Sequence, residues 1–302
     1  MVRGRPERGL AGDAWHPDVE LVEKQAYSWV ADLGLLSARV KGGRAPRLAA
    51  RVLPEGPREV VELVARWVTW CFLVEDWVDR GGVTSSVSRL ATRMRAVMSG
   101  RALRPTDRRL ELAFEQLWED TCLLPMSEQW FARFRRSVRD YGLALVWERR
   151  LASSGHVPGW DEFAACRPVA NGLFLWDLVE AGTGQEVDVD LPLWAWLRRA
   201  SCDVVAWRND LVSVEREAAA GDVDNALVVI ERLHGCTRVE ARTVLERMVM
   251  QRMRDVARSE AGLLAAGARQ SSTAWVLARG VPAAHARWLA ESGRYVDHSP
   301  IH

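Results

Sequence analysis

Apolar residues recur every three or four positions along almost the whole of the 302-residue chain, and this spacing restricts the fold more than any other feature. Three clear stripes span residues 22–33, 60–72 and 110–118. Alternating apolar and polar runs, the pattern of half-buried strands, are short and few. The sequence therefore predicts an all-α protein of ten or more helices.

Glycine and proline interrupt the helical pattern at short intervals, but no break is long or polar enough to be a linker between domains. We expect residues 1–14, which are rich in Arg and Gly, to be disordered, and residues 15–302 to form one domain. The formal net charge of +1 argues against nucleic-acid binding. No run of about 18 uncharged apolar residues occurs, so no membrane span is expected. The five cysteines form no CxxC pair, which favours a reduced, cytoplasmic protein.

Three carboxylates, Glu75, Asp76 and Asp79, follow the second apolar stripe. Spacings of three and four residues allow all three to share one face of a helix. Like charges this close repel one another unless a cation neutralises them, and oxygen ligands at this density suit Mg²⁺. The same residues also fit a solvated helix end with Arg80 as the ionic partner. The cluster alone does not choose between the two interpretations.

A second group of polar residues, Asn209, Ser213 and Glu217, is spaced four residues apart. On a helix these residues form one stripe that presents an amide oxygen, a hydroxyl and a carboxylate. Such a mixed set of hard oxygens can hold one Mg²⁺ ion. Arg216 is placed to reach an anion held by that metal. The alternative is an ordinary helix start with Asn209 or Asp210 as the N-cap.

In order and spacing, these motifs resemble those of bacterial class I terpene synthases. The family's aspartate-rich motif, D-D-x-x-D, corresponds to residues 75–79, and its second motif, N-D-x-x-S-x-x-x-E, is matched in full by residues 209–217. Arg294 and Tyr295 correspond to the family's C-terminal Arg-Tyr pair. The resemblance covers about residues 15–297 and implies a single-domain helical bundle around an apolar pocket.

The resemblance also implies a role for each matched residue. The implied ligands of Mg²⁺, with three ions expected, are Glu75, Asp76, Asn209, Ser213 and Glu217. The implied diphosphate-binding residues are Arg167, Arg216, Arg294 and Tyr295. The implied catalytic residues are the diphosphate-sensing Arg167 and, at a helix bend that aims a backbone carbonyl at the substrate, Asn171 and Gly172. The implied pocket walls are Phe72, Trp176, Trp207 and Trp288.

Two positions depart from the family's pattern. Glu75 stands at the first position of the aspartate-rich motif and is one methylene longer than the usual Asp, so a metal bound there would sit differently. Ala170 stands where the family often has Asp, Ser or Thr, and its side chain cannot form a hydrogen bond. We expect Glu75 to be a metal ligand; the alternative is that Asp76 carries the metal and Glu75 faces solvent or Arg80.

The implied activity is Mg²⁺-dependent ionisation of a linear prenyl diphosphate, its cyclisation to a terpene and release of diphosphate. Aromatic faces stabilise a carbocation by cation–π attraction, and the chain has 15 tryptophans. If these point inward they narrow the pocket, which favours farnesyl diphosphate, with geranylgeranyl diphosphate next. The expected protein is cytoplasmic, and a homodimer is compatible with it.

Two other functions stay open on the sequence. A prenyl-chain-elongating transferase of the same fold needs a second aspartate-rich motif, where this chain has Asn209, Ser213 and Glu217. A non-catalytic prenyl-binding helical protein, decayed from a synthase, is supported by Glu75 alone. The intact second motif argues against decay, because drift would remove metal ligands early.

Overall fold

The computed structural model describes residues 12–79, 83–101, 108–221, 223–268 and 271–294, without the side chains of Asp79, Ala220 and Ser271. These residues form fourteen α-helices and a single π-helical turn, and the same ranges contain no strand. The predicted all-α class is therefore confirmed. None of the described helices is both long and apolar enough to cross a membrane.

The helices run through the whole of the described chain. In order they are α1 (Val19–Asp32), α2 (Ala38–Gly43), α3 (Ala45–Val52), α4 (Arg58–Asp79), α5 (Thr84–Met98), α6 (Arg109–Cys122), α7 (Glu128–Ser154), α8 (Trp160–Ala170), α9 (Leu175–Thr183), α10 (Pro192–Ala220), α11 (Ala226–His234), α12 (Arg238–Ala265), α13 (Ser271–Trp275) and α14 (Val281–Glu291). The π-helical turn, Val276–Gly280, joins α13 to α14.

Helix α4 lies at the centre because it is apolar on most of its surface. It packs against α1, α3, α6 and α9. Trp67 and Trp70 are fully buried there, and their rings meet each other edge to face at 5.8 Å. The Trp67 indole N–H donates to Thr121 Oγ1, and the Trp70 indole N–H donates to the Leu110 carbonyl, both at 3.0 Å. These tryptophans fill the core, which shows that the tryptophan excess is not all pocket wall.

Helix α10 packs along α12 and also contacts α8, α11 and α14. Opposite it, the chain breaks between α8 and α9, over residues 171–174. Gly172 permits this break because its φ is +79°, a value that side chains with a Cβ disfavour. The break, α4 and α10 together surround the polar and apolar cavities described below.

Helix α14 closes the bundle beside α2. The Trp288 indole N–H donates to the Gly43 carbonyl at 2.8 Å, and the Gly293 N–H donates to the Gly42 carbonyl at 3.1 Å. Of the segment expected to be disordered, 1–14, only residues 12–14 belong to the described ranges. In that short stretch, Asp13 forms an ion pair with Arg287 of α14.

Candidate active site

Both predicted metal motifs face one polar cavity of about 60 Å³. Glu75 reaches it from α4, and Asn209 and Glu217 reach it from α10. Arg167 of α8 and Arg216 of α10 line the same space. Residues that are more than 130 positions apart in the sequence thus converge at one place, which we call the mouth cavity.

The α4 carboxylates are held by arginines. Arg294 Nη2 lies 2.6 Å from Glu75 Oε2 and 3.2 Å from Asp76 Oδ1, and Arg39 Nε lies 2.9 Å from the same Asp76 oxygen. The Glu75 side chain is 39% exposed, whereas that of Asp76 is 1% exposed. Glu75 therefore lies at the cavity surface and Asp76 lies behind it. The Asp79 side chain and Arg80 fall outside the described residues.

The α10 stripe is arranged differently. Asn209, Ser213 and Glu217 succeed one another along one face of the helix, and Ser213 is fully buried. Within the described part of the chain, the Ser213 hydroxyl oxygen has no hydrogen-bond partner. A buried hydroxyl without a partner costs about 1–3 kcal/mol. The donor set, an amide, a hydroxyl and a carboxylate oxygen, suits a hard divalent cation that would complete it.

This donor set contains only one carboxylate. Across the described ranges, no three His, Cys, Asp or Glu side chains are grouped so that they could hold a metal ion by themselves. The residues fit Mg²⁺ nonetheless, because Mg²⁺ binds through few protein ligands and keeps positions for water and substrate phosphate oxygens.

The alternative interpretation of residues 209 and 210 as a helix start is wrong. Helix α10 begins at Pro192, so both residues lie in its interior. Asp210 is fully buried and accepts hydrogen bonds from Arg167 Nη2 at 2.5 Å and from the Ala226 N–H at 3.0 Å. Burial raises the pKa of Asp210, and the guanidinium of Arg167 opposes that rise. Asp210 thus ties the predicted diphosphate sensor to α10 and caps α11.

Asn225 is a site residue that the sequence interpretation missed. Its amide Nδ2 donates to Glu217 Oε2 and to the Asp210 carbonyl, both at 3.0 Å. Its Oδ1 accepts from the Leu227 N–H at 2.9 Å, so the same side chain is the N-cap of α11. Asn225 therefore fixes one oxygen of the predicted ligand Glu217. An Asn directly before an apolar helical run is an N-cap signal, but nothing in that signal points to Glu217.

Two further carboxyl groups, Glu148 of α7 and Asp224, also line the mouth cavity. They share a hydrogen bond, and Glu148 Oε1 lies 3.8 Å from Arg167 Nη1. Burial and the neighbouring Asp224 raise the pKa of Glu148 well above its usual range. Burial raises the pKa of Asp224 as well, so the two carboxyl groups titrate as a pair. The sequence around Glu148 contains no motif that could have revealed it.

An apolar cavity of about 80 Å³ lies next to the mouth cavity and shares Glu75 and Asn209 with it. The predicted pocket residues Phe72, Trp176 and Trp288 line it. The rings of Phe72 and Trp288 lie 5.3 Å apart, and the Arg294 guanidinium stands 4.4 Å from the centre of the Phe72 ring.

A second apolar cavity, of about 70 Å³, continues from the first and is bordered by the same Trp176, Leu175, Val205 and His285. Together the two apolar cavities extend the mouth cavity into the bundle. The predicted bend residues Asn171 and Gly172 border the first of them. The Gly172 carbonyl accepts a hydrogen bond from the Leu175 N–H at 2.8 Å.

Trp207 does not border either apolar cavity. Its buried ring packs 6.0 Å from Trp160 and 5.3 Å from the Arg252 guanidinium. At about 100° per residue, position 207 is turned some 200° from Val205, which does border the cavities. The prediction of Trp207 as a pocket wall is therefore wrong, because adjacency to a motif in sequence does not place a residue on the same helix face.

One predicted site residue has no counterpart among these cavities. Tyr295 lies outside the described residues. Two larger cavities, of about 340 and 390 Å³, lie elsewhere, and the described residues that line them include none of the predicted metal ligands. Neither of these larger cavities therefore contains any of the described residues that are expected to bind the metal.

Comparison with known proteins gives one family for this chain. Residues 66–255 match the model of "Terpene synthase family 2, C-terminal metal binding". The chain is 31% identical to pristinol synthase of Streptomyces pristinaespiralis over 93% of this chain and 82% of that protein. It is 29% identical to a (+)-T-muurolol synthase of Roseiflexus castenholzii, described as cyclising (2E,6E)-farnesyl diphosphate, over 74% of this chain and 72% of that protein.

Solved structures show that the fold of this chain is shared. The linalool/nerolidol synthase of Streptomyces clavuligerus, crystallised with 2-fluorogeranyl diphosphate, superposes with a TM-score of 0.82 at 21% identity, over 91% of this chain and 99% of that one. An α-eudesmol synthase superposes with a TM-score of 0.81 at 21% identity, over 97% of this chain and all of the other.

Proposed function

This chain belongs to the terpene synthase family, and we propose that it ionises and cyclises farnesyl diphosphate with release of diphosphate. The observation that carries the proposal is the convergence of both oxygen-ligand motifs and two arginines on one mouth cavity, directly beside an apolar, aromatic-lined pocket. That arrangement suits a substrate with an anionic head and a hydrocarbon tail.

The family is a metal-binding one, and the metal proposed here is Mg²⁺, with three ions. The residues that would hold it are Asn209, Ser213 and Glu217 on α10 and Glu75 on α4, with Asp76 behind Glu75. When bound, Mg²⁺ would neutralise charge on the diphosphate and so favour its departure. The buried hydroxyl of Ser213, which has no hydrogen-bond partner within the described part of the chain, is the structural feature that supports a cation at this place.

The arginines of the mouth cavity supply fixed positive charge for the diphosphate. Arg167 and Arg216 line the cavity, and Arg294 adjoins it through Glu75. Guanidinium groups bind phosphate oxygens through paired N–H donors, a geometry that lysine lacks. Tyr295 is proposed to act with Arg294. These donors stabilise the leaving group as its charge develops.

The pocket then protects the cationic hydrocarbon. Phe72, Trp176 and Trp288 present aromatic faces, and each such face can stabilise a desolvated cation by about 2 kcal/mol. Apart from Trp176 and His285, the second cavity is lined by aliphatic side chains, which keep water away from the reacting carbons. The bend at Asn171 and Gly172 borders the same space, where a backbone carbonyl can face the substrate.

Farnesyl diphosphate is proposed before geranylgeranyl diphosphate for two reasons. The two apolar cavities are small, at about 80 and 70 Å³. Two relatives, the (+)-T-muurolol synthase and a 4-epi-cubebol synthase, are described as cyclising farnesyl diphosphate. Chain elongation and non-catalytic prenyl binding are not favoured. The five cysteines are all free thiols, which fits the proposed cytoplasmic location.

The test is a product assay. Purified protein is incubated with the C10, C15 and C20 diphosphates, with Mg²⁺ or with chelator, and both released diphosphate and volatile products are measured. We expect Mg²⁺-dependent diphosphate release and a cyclic C15 product. Release from none of the three substrates would overturn the proposal, and a longer prenyl diphosphate formed with added isopentenyl diphosphate would replace it with chain elongation.

A further inference from the structure

His285 on α14 has no role in the metal or diphosphate chemistry, yet it borders both apolar cavities. His285 is 5% exposed, and its ring lies 5.7 Å from the ring of Trp288, one turn further along the helix. Among the described residues, Nδ1 of His285 has no hydrogen-bond partner. An imidazole with a partnerless nitrogen in an apolar cavity is costly to keep, so it calls for an explanation.

The cavity keeps this imidazole uncharged. Burial, with a smaller contribution from the positive charge of Arg208, lowers the pKa of His285 to about 3. A neutral ring retains a lone pair on one nitrogen and adds no positive charge that would repel a cationic substrate. Both properties are what a base inside a carbocation pocket requires.

The other titratable side chains of the two cavities are poorly suited to accept a proton from the hydrocarbon. Burial raises the pKa of Cys71 and of Tyr141, so both keep their protons. Glu75 lies at the polar end and is paired with Arg294 at 2.6 Å. Of the described residues that line these cavities, His285 alone carries a basic nitrogen beside the apolar part.

We propose that His285 is the base that ends the reaction by taking a proton from the final carbocation, an inference that rests on the function proposed above. A C–H bond on the carbon next to the cationic centre breaks. Its electron pair becomes the second bond of a carbon–carbon double bond, and the proton bonds to the unprotonated ring nitrogen. The resulting imidazolium later returns the proton to water or to the released diphosphate.

This transfer is downhill although His285 is a weak base. A C–H bond beside a cationic carbon is far more acidic than imidazolium, so even an imidazole with a depressed basicity accepts its proton. The same weak basicity makes the return of the proton easy and resets the site. The position of the ring within the pocket, more than its basicity, would then decide which C–H bond is broken.

The test separates ionisation from the final proton transfer. His285→Phe fills a similar volume without a base, and Arg287→Gln is the matched control, because Arg287 lies on the same helix, is 46% exposed and lines neither apolar cavity. We expect His285→Phe to release diphosphate within about threefold of the wild-type rate while the share of the wild-type alkene falls at least about fivefold. Arg287→Gln should retain that alkene as the main product.

Chemical rescue gives a readout that a purely structural role would not move. His285→Ala leaves space for one imidazole molecule, and added imidazole should restore the wild-type alkene in that variant but leave the products of Arg287→Gln unchanged. If His285→Phe does not fold, as judged by far-UV dichroism, His285→Asn replaces it with the same expectation.

Three results would overturn the proposal. If folded His285→Phe or His285→Asn releases diphosphate and still forms the wild-type product, the role of His285 is refuted and the proposed function stands. An alcohol as the main wild-type product also refutes it, since no C–H proton would be removed. Absence of diphosphate release by the wild-type protein refutes the proposed function together with this inference.

Discussion

The acidic end of α4 and the oxygen stripe of α10 face the same mouth cavity, but their oxygens are held in different ways. On α4, Glu75 and Asp76 are neutralised by guanidinium groups of Arg39 and Arg294. On α10, Glu217 accepts a hydrogen bond from the neutral amide of Asn225 at 3.0 Å and a longer one from Arg216 at 3.4 Å, and the Ser213 hydroxyl has no partner among the described residues.

This difference indicates that the α4 and α10 motifs have different roles. The α4 carboxylates already have cationic partners, so part of their role is to hold arginines in place; a metal must compete with those partners. The α10 oxygens have one longer guanidinium contact, from Arg216 to Glu217 at 3.4 Å, so a cation meets weaker competition there. We therefore expect substitutions on α10 to affect mainly chemistry, and substitutions of the buried α4 carboxylate to affect mainly stability.

The largest effect is expected at Glu217. Glu217→Gln keeps the shape and the contact with Asn225 but removes the charge, so diphosphate release should fall about a hundredfold or more, equivalent to several kcal/mol of transition-state stabilisation. Glu215→Gln is the matched control, because Glu215 lies on the same helix, is 77% exposed and pairs with Arg238 away from the cavity. Release by Glu217→Gln within about threefold of wild type would contradict the assignment of the α10 stripe.

A smaller effect is expected on α4, and it differs between the two carboxylates: Glu75 affects mainly the rate and Asp76 affects mainly the stability. Glu75→Gln should lower diphosphate release about thirtyfold with little change in the melting temperature, because Glu75 is partly exposed and borders the cavity. Asp76→Asn should lower the melting temperature clearly, because it weakens a buried ion pair with Arg294, and breaking such pairs costs about 3–5 kcal/mol.

Rates and thermal unfolding of these two variants are measured side by side with the same substrate. The assignment is reversed if Glu75→Gln releases diphosphate at the wild-type rate while Asp76→Asn folds but is inactive. In that case Asp76 would be the main metal ligand. Glu75→Asp should also lower activity, because it shortens the reach of a ligand around which this pocket is built.

The smallest effect is expected at Asn225. Asn225→Asp still caps α11 but replaces the donor to Glu217 by a second carboxylate, so the Mg²⁺ concentration for half-maximal rate should rise about tenfold. Thr237→Asp is the matched control, since Thr237 is the N-cap of α12 and lies outside the mouth cavity. An equal response of the two variants would mean that Asn225 acts only as a cap.

Much of the site could be predicted from the sequence because its ligands follow a helical period. Asn209, Ser213 and Glu217 need only the geometry of one helix to share a face. Resemblance to a family added Arg167 and Arg294 and the aromatic residues Phe72 and Trp288. Trp207 was placed wrongly because its pocket role was inferred from proximity in sequence and not from its angle around the helix.

Other members of the site could not be predicted, since their positions depend on how helices pack. Glu148 lies in the middle of α7, and Asp224 and Asn225 lie between α10 and α11. No local pattern connects any of them with Glu217 or Arg167. His285 likewise has no motif, and the cavities that it borders exist only in the folded bundle.

The sequence by itself determined the all-α class, the two oxygen-ligand motifs and their order along the chain, because helical periodicity and ligand spacing are local properties of a few consecutive turns. Only the tertiary structure decided which side chains neutralise Glu75 and Asp76, which amide orients Glu217, and which imidazole borders the apolar cavities. The physical reason is that burial and ion pairing arise between segments distant in sequence, so the surroundings of a side chain are defined only after the helices have packed.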